Sequence, residues 1–169
     1  MKLIIAPLHS SHNKKGFSCG EKLLDNYLHF QAKQDVKKML SVCFVLIDHD
    51  KKVAGYYTLS NTGIPRDTLP TELSKKISKS YTNLPATLLG RLAVDESVKR
   101  KGYGELLLLD ALKRCYEVSK SEIGSLAVIV DPINEQAATY YEKYGFILLP
   151  DSGKMFLAMK TISDLIKKK

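Results

Sequence analysis

The chain has 169 residues, of which 44% are apolar and 26% charged, and its 26 Lys and Arg outnumber 18 Asp and Glu to give a net charge of +8. This length predicts one domain over residues 1–169, and three scattered cysteines argue against a disulfide scaffold and for a reducing, cytoplasmic compartment. No apolar run reaches the roughly 18 residues of a membrane span, and the basic excess favours a polyanionic or phosphorylated partner.

The N-terminal third begins with a short apolar run at residues 3–5 and continues into a predicted helix. Apolar residues recur there at helical spacing, namely Leu23, Leu24, Tyr27 and Leu28. Lys33 and Lys37 follow one helical turn apart. Seven lysines and three carboxylates in the first 40 residues give this part half of the positive excess.

Two apolar runs in the middle of the chain, 41–47 and 53–60, flank a polar segment and predict an antiparallel hairpin. The polar stretch 61–83 is the longest break in pattern. A third run, 86–94, is nearly all apolar, so we expect a strand buried on both faces of a sheet.

The second half of the chain alternates helix and strand. Gly102 and Gly104 open a predicted long helix, and 125–130 reads as another buried strand. A second helix begins at Asn134 and ends at Gly145, with an apolar face of Ala137, Tyr140, Tyr141 and Tyr144. This order predicts an α/β fold with a partly parallel sheet beside the hairpin.

The segment VDESVKRKGYGELL (94–107) joins the 86–94 strand to the long helix through a basic, glycine-bearing turn. Glycines let the backbone approach a ligand, and the N–H groups and dipole of a helix start attract anions. The turn is therefore either a phosphate site or an ordinary loop with solvated basic residues. A P-loop signature is absent and the dinucleotide fingerprint is incomplete, which disfavours nucleoside triphosphates and nicotinamide cofactors.

This turn is followed by NEQAATYYEKYGF (134–146), and the two motifs together resemble the GNAT acetyltransferases. That family has Q/R-x-x-G-x-G/A at the turn and N-x-x-A-x-x-x-Y-x-x-x-G-F in the next helix. Both glycines of the turn and all five positions of the helix match, whereas Lys99 stands where the family has Gln or Arg. The resemblance implies the GNAT fold, a mixed central sheet with a splayed strand pair flanked by helices.

A closer resemblance includes FSCGEKLLDNYL (17–28), VAGYYTLS (53–60) and LPATLLGRLAVD (84–95). These segments are similar to the GNAT toxins of bacterial type II toxin-antitoxin modules. The resemblance implies that the chain uses acetyl-CoA to acetylate the α-amino group of aminoacyl-tRNA, which inhibits translation. It also implies a ribbon-helix-helix antitoxin partner and a homodimer.

The resemblance further assigns roles to individual residues. The strand-end backbone would hold the thioester and oxyanion, the turn and the Asn134 position would bind acetyl-CoA, and Tyr141 would protonate the departing thiolate. The cofactor-binding residues are then Leu92, Ala93, Val94, Lys99, Arg100, Lys101, Gly102, Tyr103, Gly104 and Asn134. No metal is expected. The four histidines precede the motifs, and an α-amine titrating near pH 8 needs no strong base.

Each assignment has a structural alternative. Tyr141 would be a core tyrosine, Asn134 a helix cap alone, and Arg91 either an internally paired residue or one that faces substrate. Exposed lysines form either a solvated face or contacts to tRNA phosphates, the candidates being Lys33, Lys37, Lys75, Lys76 and Lys79. The rival functions are acetylation of a small amine or protein lysine, and RNA binding without catalysis.

Overall fold

The computed structural model describes residues 2–168, in which seven strands form one mixed sheet. The strands are β1 (Ile4–Pro7), β2 (Val42–Ile47), β3 (Val53–Pro65), β4 (Asn83–Val94), β5 (Ala127–Val130), β6 (Ile147–Leu148) and β7 (Met155–Ala158). Their order across the sheet is β1-β2-β3-β4-β5-β7-β6. The helices are α1 (Lys22–Asn26), α2 (Ala32–Lys37), α3 (Thr71–Ser74), α4 (Tyr103–Ser121), α5 (Glu135–Glu142) and α6 (Met159–Lys167).

The mixed character of the sheet confirms the predicted α/β fold. β1, β2 and β3 pair antiparallel, and the β2 to β3 register runs from Val42 opposite Leu59 to Ile47 opposite Val53. β4 and β5 pair parallel because the long helix α4 connects them. β5 pairs with β7 antiparallel on its other edge, and all four of its residues are buried.

The chain divides into two compact units, each with its own apolar core. The first consists of Met1–Ser60 and Gly90–Ala111, and the second of Asn61–Leu89 and Leu112–Lys169. The core of the first unit includes Phe17, Tyr27, Leu28, Val45, Val53, Tyr56 and Ala93. The core of the second includes Ile64, Leu69, Leu84, Ala127, Ile129, Leu149 and Phe156. The prediction of a single domain over residues 1–169 stays a prediction.

Several sequence predictions need correction. The first helix is broken into α1, a π-helical turn at Tyr27–Gln31 and α2, and Leu23 is 79% exposed, so it does not belong to the buried stripe. The expectation for β4, in contrast, agrees with the structure: Ala86, Leu89 and Ala93 are buried at both even and odd positions of the strand, and none of residues 86–94 is exposed. The C-terminal elements β6, β7 and α6 were not predicted.

Other expectations are confirmed. One face of α4 is buried through Leu108, Ala111, Leu112 and Cys115, as its periodicity predicts. All three cysteines are buried free thiols. None of the helices between residues 2 and 168 is long and apolar enough to cross a membrane.

The stretch 61–83 is ordered, although its sequence shows no regular pattern. β3 continues through it to Pro65, and a 3-10 turn at Arg66–Thr68 leads to α3. The Arg66 guanidinium donates hydrogen bonds to four backbone carbonyl oxygens, those of Ser74, Ile77, Ser78 and Tyr81, at 2.5 to 3.1 Å. One side chain therefore binds the last residue of α3 and three carbonyls of the loop that follows it.

Replacing Arg66 with Ala should lower the free energy of unfolding by about 2 kcal/mol, because carbonyls bound to a charged donor lose that partner. Limited proteolysis should detect faster cleavage within residues 74–82. Lys76→Ala serves as the control, since this exposed side chain makes no hydrogen bond within residues 2–168. Equal cleavage rates in wild type and Arg66→Ala would contradict this account of the loop.

Candidate active site

The C-terminal end of β4 presents one edge of its backbone to β3. The Asp95 N–H donates to the Ala54 carbonyl oxygen at 2.8 Å, and the Ala93 carbonyl oxygen lies 3.0 Å from where a Cβ on Gly55 would stand. A glycine is needed at position 55 because a side chain there would also meet Leu107 at 2.8 Å. The close approach of β3, β4 and α4 in the first unit therefore depends on Gly55.

The opposite edge of β4 loses its registered partner before the strand ends. The β5 register stops at Leu89 opposite Val130, whereas β4 continues to Val94. Because backbone groups alternate along a strand, the Ala93 N–H points toward β3 and those of Leu92 and Val94 point to the other edge. This end of β4 therefore directs backbone donors away from β3, as a splayed strand requires.

A sharp turn connects this strand end to α4. Asp95 caps a 3-10 turn at Glu96–Val98, and both Arg100 (φ 63°) and Gly102 (φ 86°) adopt left-handed backbone conformations. Gly102 is suited to this conformation because it has no Cβ. No described atom beyond Gly102 and its two chain neighbours lies within 4 Å of where its Cβ would stand, so the space beside the turn is open.

The first turn of α4 offers backbone donors to the same space. The first helical hydrogen bond joins the Leu106 N–H to the Gly102 carbonyl oxygen at 3.0 Å, so the amides of Tyr103 and Gly104 precede it. α4 has 19 residues, and its dipole places partial positive charge at this end. Arg100 and Lys101 are exposed beside it. These features together can bind an anion.

Unlike Arg100 and Lys101, Lys99 uses its charged group in a hydrogen bond within residues 2–168. Its ammonium group donates a hydrogen bond to the carbonyl oxygen of Cys19. A Cβ on Gly20 would lie 3.6 Å from the same nitrogen and 2.8 Å from a carboxylate oxygen of Glu96. The structure thus places the Lys99 charge against the segment that precedes α1, and its contact with a ligand phosphate stays a prediction.

Asp95 holds the strand end and the segment before α1 together, and sequence reasoning missed it. Its carboxylate accepts hydrogen bonds from the Ser18 N–H (2.9 Å), the Ser97 N–H (2.9 Å) and the Ser97 hydroxyl (2.6 Å). Burial alone would raise the pKa of Asp95, but these hydrogen bonds outweigh it and hold the pKa below its usual value. The available signal was a carboxylate directly after a nearly uncharged strand.

α5 in the second unit carries the other predicted motif. The Asn134 side chain accepts a hydrogen bond from the Ala137 N–H at 2.8 Å, which confirms the predicted helix cap. Gly145, at φ 96°, ends the helical segment, and the Tyr141 and Phe146 ring centroids lie 5.3 Å apart. Phe146 therefore folds back onto the helix that Gly145 ends.

Tyr141 has the properties of a proton donor held away from water. The residue is 8% exposed, and its hydroxyl makes no hydrogen bond within the part of the chain that the structure describes. Burial raises its pKa to about 12. The hydroxyl therefore keeps its proton at neutral pH and has that proton available for a ligand.

The remaining predicted residues lie at several places. The Arg91 guanidinium lies 3.5 Å from the ring centroid of Tyr27, so it pairs internally with an aromatic face. Lys33 and Lys37 are exposed on α2 of the first unit. Lys75, Lys76 and Lys79 are exposed in the second unit, within the loop that Arg66 holds. Among residues 2–168 no group of three or more His, Cys, Asp or Glu could hold a metal ion.

Asp95→Asn should lower the free energy of unfolding at pH 7 by about 1 to 2 kcal/mol, because charge-assisted hydrogen bonds are lost. Since the folded pKa lies below the unfolded value near 3.9, the contribution is present above about pH 5 and is lost as pH falls through the folded pKa. Urea unfolding of both proteins at pH 7 and pH 3 should show a smaller difference at pH 3. A constant difference would contradict the charged role.

Comparison with known proteins agrees with these features. The model of the acetyltransferase (GNAT) family matches residues 15–146. The chain is 33% identical over 151 residues to a tRNA-acetylating toxin of Mycobacterium tuberculosis, a match that covers 89% of this chain and 88% of that protein.

Solved structures resemble the whole fold. AtaT complexed with acetyl-methionyl-tRNAfMet has a TM-score of 0.90 at 30% identity, covering 98% of this chain and 99% of that chain. A tyrosine-to-phenylalanine mutant of the toxin AtaT, bound to the C-terminus of the antitoxin AtaR and acetyl-CoA, has a TM-score of 0.81 at 25% identity, covering 97% and 98%. Because the family match spans well over half of its residues, the chain belongs to the GNAT family of acetyltransferases.

Proposed function

We propose that this chain transfers the acetyl group of acetyl-CoA to the α-amino group of aminoacyl-tRNA and so inhibits translation. The observation that carries the proposal is the near full-length similarity to a tRNA-acetylating toxin and to AtaT, whose structure was solved with an acetylated aminoacyl-tRNA. The family match spans both compact units, which supports our proposal that residues 1–169 act as one acetyltransferase domain.

The turn before α4 fits the pyrophosphate of acetyl-CoA. Open space adjoins Gly102, the amides of Tyr103 and Gly104 precede the first helical bond, and Arg100 and Lys101 supply exposed positive charge. Small residues at 102 and 104 allow a diphosphate to approach the backbone closely. Acetyl-CoA supplies the activated thioester, and we assign its phosphate contacts to residues 100–104.

The free edge of β4 suits the reacting thioester. Attack by an amine places negative charge on the acetyl oxygen, and a fixed backbone donor stabilises that charge without reorganisation. Strand alternation supports this role for the N–H groups of Leu92 and Val94, because the Ala93 N–H points toward β3. Of the three predicted strand-end residues, we therefore propose two as donors.

Proton balance explains the choice of Tyr141. The amine nitrogen loses a proton as the amide forms, and the sulfur gains one as the carbon–sulfur bond breaks. No net acid is consumed, so a hydroxyl that keeps its proton at neutral pH is a suitable donor to the sulfur. The α-amine of an aminoacyl ester is largely neutral near pH 8, which removes the need for a dedicated base.

The acceptor distinguishes this function from acetylation of a small amine or a protein lysine. Exposed lysines on α2 and in the loop beyond α3 are candidates for contacts to tRNA phosphates, namely Lys33, Lys37, Lys75, Lys76 and Lys79. Each phosphate contact releases counterions, so binding of tRNA should weaken steeply with salt, whereas binding of a small amine should not.

The same resemblance supports further parts of the proposal. The AtaT mutant bound to the C-terminus of the antitoxin AtaR supports a protein antitoxin as the partner of this chain. We propose that this antitoxin has a ribbon-helix-helix fold, that the toxin is a homodimer, and that both act in the cytoplasm, where charged tRNA is found.

Tyr141→Phe should reduce kcat by about 10² to 10⁴-fold, because a general acid contributes that range. The affinity for acetyl-CoA, measured by calorimetry, should change little, since the ring and its packing against Phe146 remain. Tyr140→Phe is the matched control on the same helix and should retain turnover. Undiminished turnover in Tyr141→Phe would rule out the acid role.

Gly104→Ile should abolish detectable acetyl-CoA binding, because a branched side chain in the first turn of α4 covers the backbone donors. Calorimetry with acetyl-CoA measures this directly, and circular dichroism verifies that the variant is folded. Gly124→Ile is the control, since no described atom beyond the adjoining residues lies within 4 Å of a Cβ at that exposed glycine. Wild-type affinity in Gly104→Ile would refute the assignment of the turn.

The deciding experiment is transfer of radiolabelled acetyl from acetyl-CoA to charged tRNAs, to the same tRNAs without amino acid, and to polyamines and lysine peptides. We expect label only on charged tRNA. Label on polyamines or peptides would favour the small-amine or protein-lysine function, and no label on any acceptor would favour an RNA-binding module.

A further inference from the structure

The first unit contains a cavity of about 130 Å³. No residue of β4 or of the turn before α4 lines it. It lies between the segment after β1 and helix α2. Its polar lining includes His9, His12, Lys14 and Lys33, and Leu8 and Val36 supply apolar wall. None of the predicted catalytic or acetyl-CoA residues lines it, and no carboxylate is among its lining residues.

Hydrogen bonds determine which nitrogen of each histidine carries the proton. The His12 Nδ1 accepts a hydrogen bond from the His9 backbone N–H at 3.0 Å, and the His9 Nδ1 accepts one from the Ser11 N–H at 3.1 Å. A neutral imidazole whose Nδ1 is an acceptor must carry its hydrogen on Nε2. Both rings are therefore Nε2–H donors even without charge.

The surroundings of His12 favour its neutral form. Its pKa is lowered by burial first, and then by the nearby His9 and Lys51. A positive charge on His12 would be repelled by these neighbouring basic groups. The ring remains a hydrogen-bond donor while the two lysines supply the permanent positive charge.

The lysines retain donors that the protein does not use. The Lys14 Nζ donates one hydrogen bond, to the Leu28 carbonyl oxygen at 3.2 Å, and an ammonium group has three hydrogens. Lys33 is exposed, and neither lysine forms an ion pair within residues 2–168. With no carboxylate in the lining, these four side chains offer only donors, which is the chemistry that binds an anion.

We propose that this cavity binds a phosphate group, and that the group is a backbone phosphate of the RNA acceptor. The assignment to RNA rests on the proposed function, whereas the phosphate site itself does not. Lys33 joins the cavity to the exposed face of α2, where Lys37 follows one turn later. Half of the positive excess of the chain lies in the 40 residues that contain this site.

Titration of the full chain with inorganic phosphate tests the site without any acetyl transfer. Nitrogen-15 NMR should show saturable shifts of the Nε2 signals of His9 and His12. The Nε2 of His29 is an internal control, because it already bonds to the Phe17 carbonyl oxygen at 2.9 Å and should not shift. Unshifted His9 and His12 signals at millimolar phosphate would overturn the site.

Variants test the same site by affinity. Replacing His12 with Ala removes one donor and should weaken phosphate binding by about fivefold. Lys22→Gln removes an exposed charge of α1 that does not line the cavity, and its phosphate affinity should equal that of the wild type. Equal affinities in His12→Ala and Lys22→Gln would contradict the assignment of His12.

Binding of tRNA without amino acid identifies the source of the phosphate. Lys33→Gln should reduce the slope of log affinity against log salt by about one, and Lys22→Gln should leave it unchanged. A wild-type slope in Lys33→Gln, together with phosphate-induced NMR shifts, would overturn the RNA source and indicate a small phosphorylated ligand. Because uncharged tRNA is used, failure of acetyl transfer would not affect this result.

Discussion

The candidate active site depends on one constraint, the need of the β4 backbone N–H groups for hydrogen-bond partners. Every buried backbone N–H needs a partner, and β4 meets that need on both edges only as far as Leu89, where its register with β5 stops. Beyond this point β3 continues to hold one edge through the Asp95 N–H and the Ala54 carbonyl oxygen. The other edge has no registered partner in β5 beyond Leu89, and the same strand end leads directly into the turn before α4.

Two buried ionisable groups show how the surroundings of a side chain decide which protonation state it keeps. Asp95 and Tyr141 are both 8% exposed. The pKa of Asp95 is lowered, which favours its charged form, whereas the pKa of Tyr141 is raised, which favours its neutral form. Asp95 receives three hydrogen bonds from nearby serines, so it stays charged and holds the Phe17–Cys19 segment. Tyr141 receives none from described residues, and burial raises its pKa to about 12, so it keeps its proton at neutral pH.

Positive charge is present in both units, and its surroundings decide what it does. The Arg66 charge is used inside the protein, where it orders the carbonyls of the loop that carries three exposed lysines. The Arg91 charge lies against the ring of Tyr27. The lysines of α2 and of the 75–79 loop remain exposed to solvent. The net charge of +8 therefore overstates the positive charge near these two arginines that would be available to bind an RNA.

By itself the sequence determined the α/β class, the hairpin, the helices α4 and α5, and the two GNAT motifs. Local periodicity and caps such as Asn134 and Gly145 depend on neighbours a few residues apart, so a single sequence is enough to predict them. Only tertiary structure decided four other features. These are the position of the free β4 edge, the hydrogen bonds of Asp95 to Ser18, the loop held by Arg66, and the cavity lined by His9 and His12. Each of these depends on register or hydrogen bonds, several between residues far apart in the chain, and no local pattern encodes such pairings.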